Sequence, residues 1–165
     1  MSVVITLPDG SKKQFDAPVT PAEVAAGIGA GLAKAALGAK IDGQLSDLSL
    51  PIADGEHTLA IVTAGRGPEP DPDALFLLRH SCAHIMAEAI QKLFPGTRLA
   101  YGPPVDAGFY YDIDAPQPIT EADFPAIKAE MEKIDAADLP FTRYSKTRAE
   151  AMGEQAADPY KTDNG

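Results

Sequence analysis

The sequence holds one cysteine and three histidines, and its 14 lysines and arginines are outnumbered by 24 aspartates and glutamates. A single cysteine excludes an internal disulfide. The formal net charge of -10 argues against electrostatic attraction to nucleic acid by the chain as a whole, while leaving room for a local basic patch on a larger assembly. The N-terminus lacks the basic and then apolar profile of a signal peptide, and no apolar run approaches the length of a membrane span. These absences fit a soluble protein in a reducing, cytoplasmic setting. The scarcity of histidine also limits metal chemistry. Zinc takes three or four protein ligands, yet beyond His80 and His84 the chain offers only His57 and Cys82 as soft donors, and Ser81 stands where a metalloprotease helix carries glutamate. No metal centre complete within this chain is expected.

Enough is present for a folded core: 45% of the 165 residues are hydrophobic, sufficient for one ordinary domain or two small ones. The most informative stretch is Asp73 to Phe94. At helical spacing Leu75, Leu78, Cys82, Ile85, Met86, Ala89 and Leu93 fall on one stripe. His80 and His84 fall on the other side, one turn apart, with Glu88 and Gln91 continuing their face and Ala83 and Ala87 leaving room beside them. An outward helix face usually carries lysine and glutamate, so two imidazoles there mark a candidate for proton transfer or for hydrogen bonding to a ligand. Solvated histidines on an ordinary surface helix would present the same pattern.

In chain order, residues 3 to 7 and Lys12 to Ala17 predict a hairpin around Pro8-Asp9-Gly10-Ser11. Thr20-Pro21-Ala22-Glu23 has the form of a capping box opening a helix to about Ile28. A further helical turn is expected over Leu32 to Leu37. Short strands at Ala39 to Asp42 and Gln44 to Leu45 follow, then a strong strand from His57 to Thr63. The order suits a β-grasp sheet crossed by one helix. Gly65 to Pro72, rich in proline and glycine, reads as a linker.

Beyond the long helix, Arg98 to Tyr101 predicts a strand and Gly102-Pro103-Pro104 a turn. Gly108 to Asp114 predicts one aromatic strand, with Phe109 and Tyr111 on one face and Tyr110 and Asp112 on the other. Thr120 caps a helix whose stripe is Phe124, Ile127, Met131 and Ile134. A strand over Phe141 to Tyr144 and a short helix over Lys146 to Gln155 complete the readable elements. The polar run Pro159 to Gly165 reads as the middle of something longer, so the second domain is expected to be cut short.

The first 64 residues, with Ile-Thr-Leu-Pro-Asp-Gly-Ser at the start and Thr-Pro-Ala-Glu-Val-Ala opening the helix, resemble a TGS domain, a module shared by threonyl-tRNA synthetases, regulatory GTPases and nucleotide synthetases. Arg-His-Ser-Cys-Ala-His at 79 to 84, followed by Gly-Pro-Pro-Val-Asp-Ala-Gly-Phe-Tyr-Tyr-Asp at 102 to 112, resembles the start of the editing domain of threonyl-tRNA synthetases. A related His-x-x-x-His element occurs in alanyl-tRNA synthetases, but the TGS module in front favours the threonyl family.

The resemblance implies an α+β chain: a β-grasp TGS domain at residues 1–64, a linker at 65–72, and an incomplete α+β editing domain at 73–165. It also implies a parent enzyme of class II that joins threonine to tRNA(Thr) with ATP and hydrolyses mischarged seryl-tRNA(Thr). His80 and His84 then take the editing positions around the attacking water, while Tyr111 and Gly102 belong to the substrate pocket. No cofactor is expected in this fragment; ATP, Mg and Zn belong to the full-length family, as do tRNA(Thr) as partner and a homodimer formed through other domains. No membrane partner is implied. The fragment by itself should be inactive, lacking the aminoacylation core and half of the editing pocket. The competing reading is a free-standing TGS-containing module that binds RNA or protein without catalysis.

Overall fold

The computed structural model describes residues 2–65, 67–140 and 144–154. The chain divides into two compact units, residues 1–78 and 79–165.

The first unit is built on a five-stranded sheet in the order β2-β1-β5-β3-β4. β1 (Val3–Thr6) pairs antiparallel with β2 (Lys12–Phe15) across the expected hairpin and parallel with β5 (Gly55–Thr63), with Ile5 opposite Lys13 on one side and His57 on the other. Burying its Val3 and Ile5 on one face sets the register, because a one-residue slip would turn both to solvent. Helix α1 (Pro21–Ile28) begins where the capping box was expected: Glu23 N donates to Thr20 Oγ1 at 3.3 Å, and Thr20 N donates to Glu23 Oε2 at 2.8 Å. It buries Pro21, Val24 and Ala25. Val24 joins Val3, Ile5, Val19, Ala39, Ile52 and Leu59 in one apolar core, each larger side chain contributing about 1.5–3 kcal/mol by leaving water.

Helix α2 (Ala30–Ala35) starts and ends before the expected turn. Leu37 lies in β3 (Ala36–Ile41), which pairs with β4 (Gln44–Ser46) and β5. Helical spacing alone missed this change because Ala36 to Gly38 gains strand hydrogen bonds that only β5 can offer. Gly38 also permits a close approach, since a Cβ there would lie 2.7 Å from Leu77 Cδ1. The β3–β4 turn carries two successive positive φ angles, 51° at Asp42 and 81° at Gly43, the geometry that a tight hairpin demands.

Helix α3 (Pro72–Leu93) is capped by Asp71, whose Oδ1 accepts from Asp73 N at 2.9 Å and Ala74 N at 3.1 Å. The division between the units falls inside α3, and the Gly65 to Pro72 stretch belongs to the first unit. The start of α3 is attached to the sheet by Lys40, whose Nζ stands 2.5 Å from Asp73 Oδ2, and by Leu77 at Gly38.

The second unit has two small sheets. β6 (Arg98–Tyr101) pairs with β9 (Asp112–Asp114), and β7 (Pro104–Val105) pairs with β8 (Gly108–Phe109). The single aromatic strand expected over Gly108 to Asp114 is therefore broken at Tyr110 and Tyr111, because its two halves hydrogen-bond to different partners. A 3-10 turn at Glu121–Asp123, closed by a Thr120–Asp123 capping box, leads into α4 (Phe124–Ala136). Its Ile127 packs with Ala89, Ile90 and Phe94, flanked by Met131 and Ile134. Phe124, expected on that stripe, is 58% exposed. Helix α5 covers Arg148–Glu154. The strand expected over 141–143 and the C-terminal end of the last helix, Gln155, lie outside the described residues, and Tyr144 belongs to no regular element.

Candidate active site

The buried side of α3 differs from the stripe read off the sequence. Ala83, Ala87, Ala89 and Ile90 are buried, whereas Leu78 is 65% exposed, Leu93 is 38% exposed and Cys82 is only partly covered. Alanine needs little cover, and its short side chain lets neighbouring elements approach closely; counted as empty space in the sequence, it forms the buried strip in the fold. Ala83 and Ala87 each follow a histidine by three residues, the spacing of surface neighbours on a helix. His80 and His84 therefore border the buried strip instead of standing opposite it, and both are exposed.

The two imidazoles meet. Their Nε2 atoms are 2.9 Å apart and the rings lie edge to face, with centroids 4.6 Å apart and planes at 68°. Such a bond needs one Nε2–H donor and one Nε2 lone pair, so the pair holds a single proton along that line. The arrangement can both give and receive a proton from one exposed point. Beside it lies a cavity of about 290 Å³, lined by His84, Ile85 and Glu88 from α3 and by Ile134, Asp135, Asp138, Leu139 and Pro140 at the end of α4. Glu88 Oε1 is paired with Lys92 Nζ at 2.9 Å.

Gly102 and Tyr111 also come together. A Cβ on Gly102 would stand 2.6 Å from Tyr111 Cε2, so only glycine admits the ring at this position. Tyrosine is a protonated O–H donor at neutral pH, and burial pushes the Tyr111 hydroxyl further above its ordinary range. The resemblance assigned both residues to a substrate pocket but could not show that one makes room for the other.

Arg79 was missed altogether as a positioning group. Its Nη1 donates to the Val105 carbonyl at 3.1 Å, tying the histidine helix to the β7–β8 hairpin that follows Gly102. Its place one residue before His80 was a signal; a backbone carbonyl acceptor has no sequence signature. Among the described residues no three of His, Cys, Asp and Glu converge as a metal site, and no helix is long and apolar enough to cross a membrane.

The third histidine lies in the first unit. His57 Nδ1 is 2.6 Å from Asp42 Oδ2, while Asp42 Oδ1 accepts from Thr58 N at 2.8 Å. The His57 hydrogen bond, then that from Thr58, holds the Asp42 carboxyl below its usual range. This dyad braces the β3–β4 turn against β5.

Residues 3–63 match the family described as TGS domain. The chain is 51% identical over 150 residues to the threonine–tRNA ligase of Thiobacillus denitrificans, covering 91% of this chain and 23% of that protein. It is 49% identical over 148 residues to that of Acidiphilium cryptum, covering 90% and 22%, and 49% identical over 163 residues to that of Novosphingobium aromaticivorans, covering 96% and 24%. The chain thus spans less than a quarter of the length of these relatives. Residues 3–63 of the first unit thus match the TGS domain family, and over nine-tenths of its length the chain is similar to a segment of threonine–tRNA ligases.

Proposed function

We propose that this chain is the portion of a class II threonine–tRNA ligase that carries the TGS domain and part of the domain that hydrolyses seryl-tRNA(Thr), with residues 1–64, 65–72 and 73–165 as module, linker and editing segment. The observation that carries the proposal is the exposed Nε2-to-Nε2 pairing of His80 and His84 in a chain homologous to these ligases. A site that selects threonine over serine gains only about 1–3 kcal/mol from one methyl group, so a second, hydrolytic site is needed. Ester hydrolysis needs a base for the attacking water and donors for the developing oxyanion. His80 or His84 supplies the base once its Nε2 turns from its neighbour to the water. The Tyr111 hydroxyl, held as a donor in the space that Gly102 leaves, supplies a hydrogen bond to the bound aminoacyl end.

In this reading the partner is tRNA(Thr), the setting is the cytoplasm, and the dimer contacts of the full-length enzyme lie in other domains. ATP and Mg serve the aminoacylation step, and Zn belongs to that same domain; no step at His80 and His84 runs through them. The fragment alone is inactive in charging. The test uses the full-length ligase carrying this segment: His80→Gln and His84→Gln should each slow release of serine from seryl-tRNA(Thr) about 100-fold while threonine charging continues at its normal rate. Undiminished serine release in both variants would remove the pair from the site.

A further inference from the structure

We infer that Arg79 is a positioning residue for this site: by holding the tip of the β7–β8 hairpin against α3, it fixes where the Tyr111 ring stands relative to the histidine helix. The inference rests on the hydrolytic reading above and deepens it. Residues 103–110 form a short strap whose ends meet, because Tyr111 packs where Gly102 has no side chain. Between those ends Pro104 pairs with Phe109 and Val105 with Gly108, a ladder too short to be stable by itself. Burial does not secure it either: Val105 is 43% and Tyr110 46% exposed. The tip is held by Arg79, whose Nη1 donates to the Val105 carbonyl at 3.1 Å, a bond strengthened by the charge on its donor.

Successive helix residues point about 100° apart, so one turn of α3 presents His80 on one side and the tether for the hairpin on the next. The half-buried Arg79 links the helix that carries the histidines to the strap that ends in Tyr111. Fixed at both root and tip, the hairpin holds the Tyr111 hydroxyl at one place with respect to α3; fixed only at its root, it swings, and the hydroxyl swings with it. Such misplacement is costly in rate, because the bound ester must lie in line with the attacking water. Arg79 itself touches neither; it acts through Tyr111.

The test compares Arg79→Met, which removes the donors, with Arg79→Lys, which keeps a charged donor on a flexible stem. In the full-length ligase carrying this segment, Arg79→Met should lower kcat for serine release from seryl-tRNA(Thr) about tenfold with KM changed less than about twofold, and Arg79→Lys should recover most of the loss. In the 165-residue chain the Val105 carbonyl-carbon and Tyr111 ring signals in NMR spectra should move in Arg79→Met and return toward the parent positions in Arg79→Lys. Should Arg79→Met fail to fold by circular dichroism, Arg79→Gln, a shorter neutral side chain, takes its place. A raised KM with kcat unchanged would make Arg79 a contact for the tRNA phosphates instead and overturn the inference, as would unmoved Tyr111 signals. His80→Gln is assayed alongside. If it slows serine release and Arg79→Met does not, the hydrolytic reading stands and this inference falls. If His80→Gln leaves serine release unchanged, the hydrolytic reading falls, and the NMR signals alone decide whether Arg79 places Tyr111.

Discussion

The two units solve the problem of covering apolar surface differently. In the first, five strands share one sheet, and valines, isoleucines and a leucine from β1, β5, α1 and the connecting segments meet in a single core. In the second, the described strands form two separate pairs, and the buried cluster is Ala89, Ile90, Phe94 and Ile127. Two-stranded pairs have little stability of their own. Phe124, Tyr101, Tyr110 and Leu139 are among the large side chains left exposed there. The residues with chemistry to offer, His80, His84, Gly102 and Tyr111, sit in this second unit, on a helix rim and beside short strands. The comparison teaches that the first unit gathers its large apolar side chains into one core, whereas the second holds its short strand pairs with a smaller cluster and with single contacts such as Gly102 against Tyr111 and Arg79 on the Val105 carbonyl.

The sharpest way to break that contrast is a core truncation. Ile5 is fully buried, so Ile5→Ala should cost about 2–5 kcal/mol and lower the thermal midpoint of the first unit by many degrees, read by amide signals of β1 and β5. A loss under about 1 kcal/mol would mean that the core is looser than its burial implies.

Gly102→Ala probes the second unit. The new methyl collides with the Tyr111 ring, and overpacking of this kind costs about 1–3 kcal/mol. The Tyr111 ring resonances should shift while those of the first unit stay in place. Movement of both sets would show that the two units share their stability.

A smaller effect is expected at the brace of the β3–β4 turn. The Asp42 carboxyl is held below its ordinary range by His57 and Thr58, so its contribution is present at neutral pH and is lost as pH falls through the lowered value. Asp42→Asn should therefore lower the thermal midpoint at pH 7, and the gap from the parent should close on acidification below the ordinary carboxylate range. A gap that persists unchanged at low pH would assign the loss to the turn geometry instead of the charge.

The smallest effect belongs to the histidines. Both lie exposed at the edge of the buried strip, so His80→Gln and His84→Gln should change stability by no more than about 0.5 kcal/mol, measured by urea unfolding. A larger loss would make the pair part of the packing of the second unit.

Much of this was legible in the amino-acid order. The β1–β2 hairpin, the capping box at Thr20 and Glu23, the limits of α1 and the position of α3 follow from local chemistry: turn residues, a side-chain cap, and apolar spacing over many residues. His80 and His84 were readable as a pair for the same reason, since i and i+4 are neighbours on any helix. What only the tertiary structure decided depends on partners distant in sequence. Ala36 and Gly38 went to a strand because β5 offered hydrogen bonds, with Leu37 at the register shift between them, and the run from Gly108 to Asp114 split because β7 and β6 each took one half. The buried strip of α3 moved to Ala83 and Ala87 because the elements packed on a helix choose which small side chains to cover. Gly102 gained its meaning only when Tyr111 arrived beside it, and Arg79 when the Val105 carbonyl came within reach. Spacing along a chain specifies a face; it takes the folded neighbours to say what that face meets.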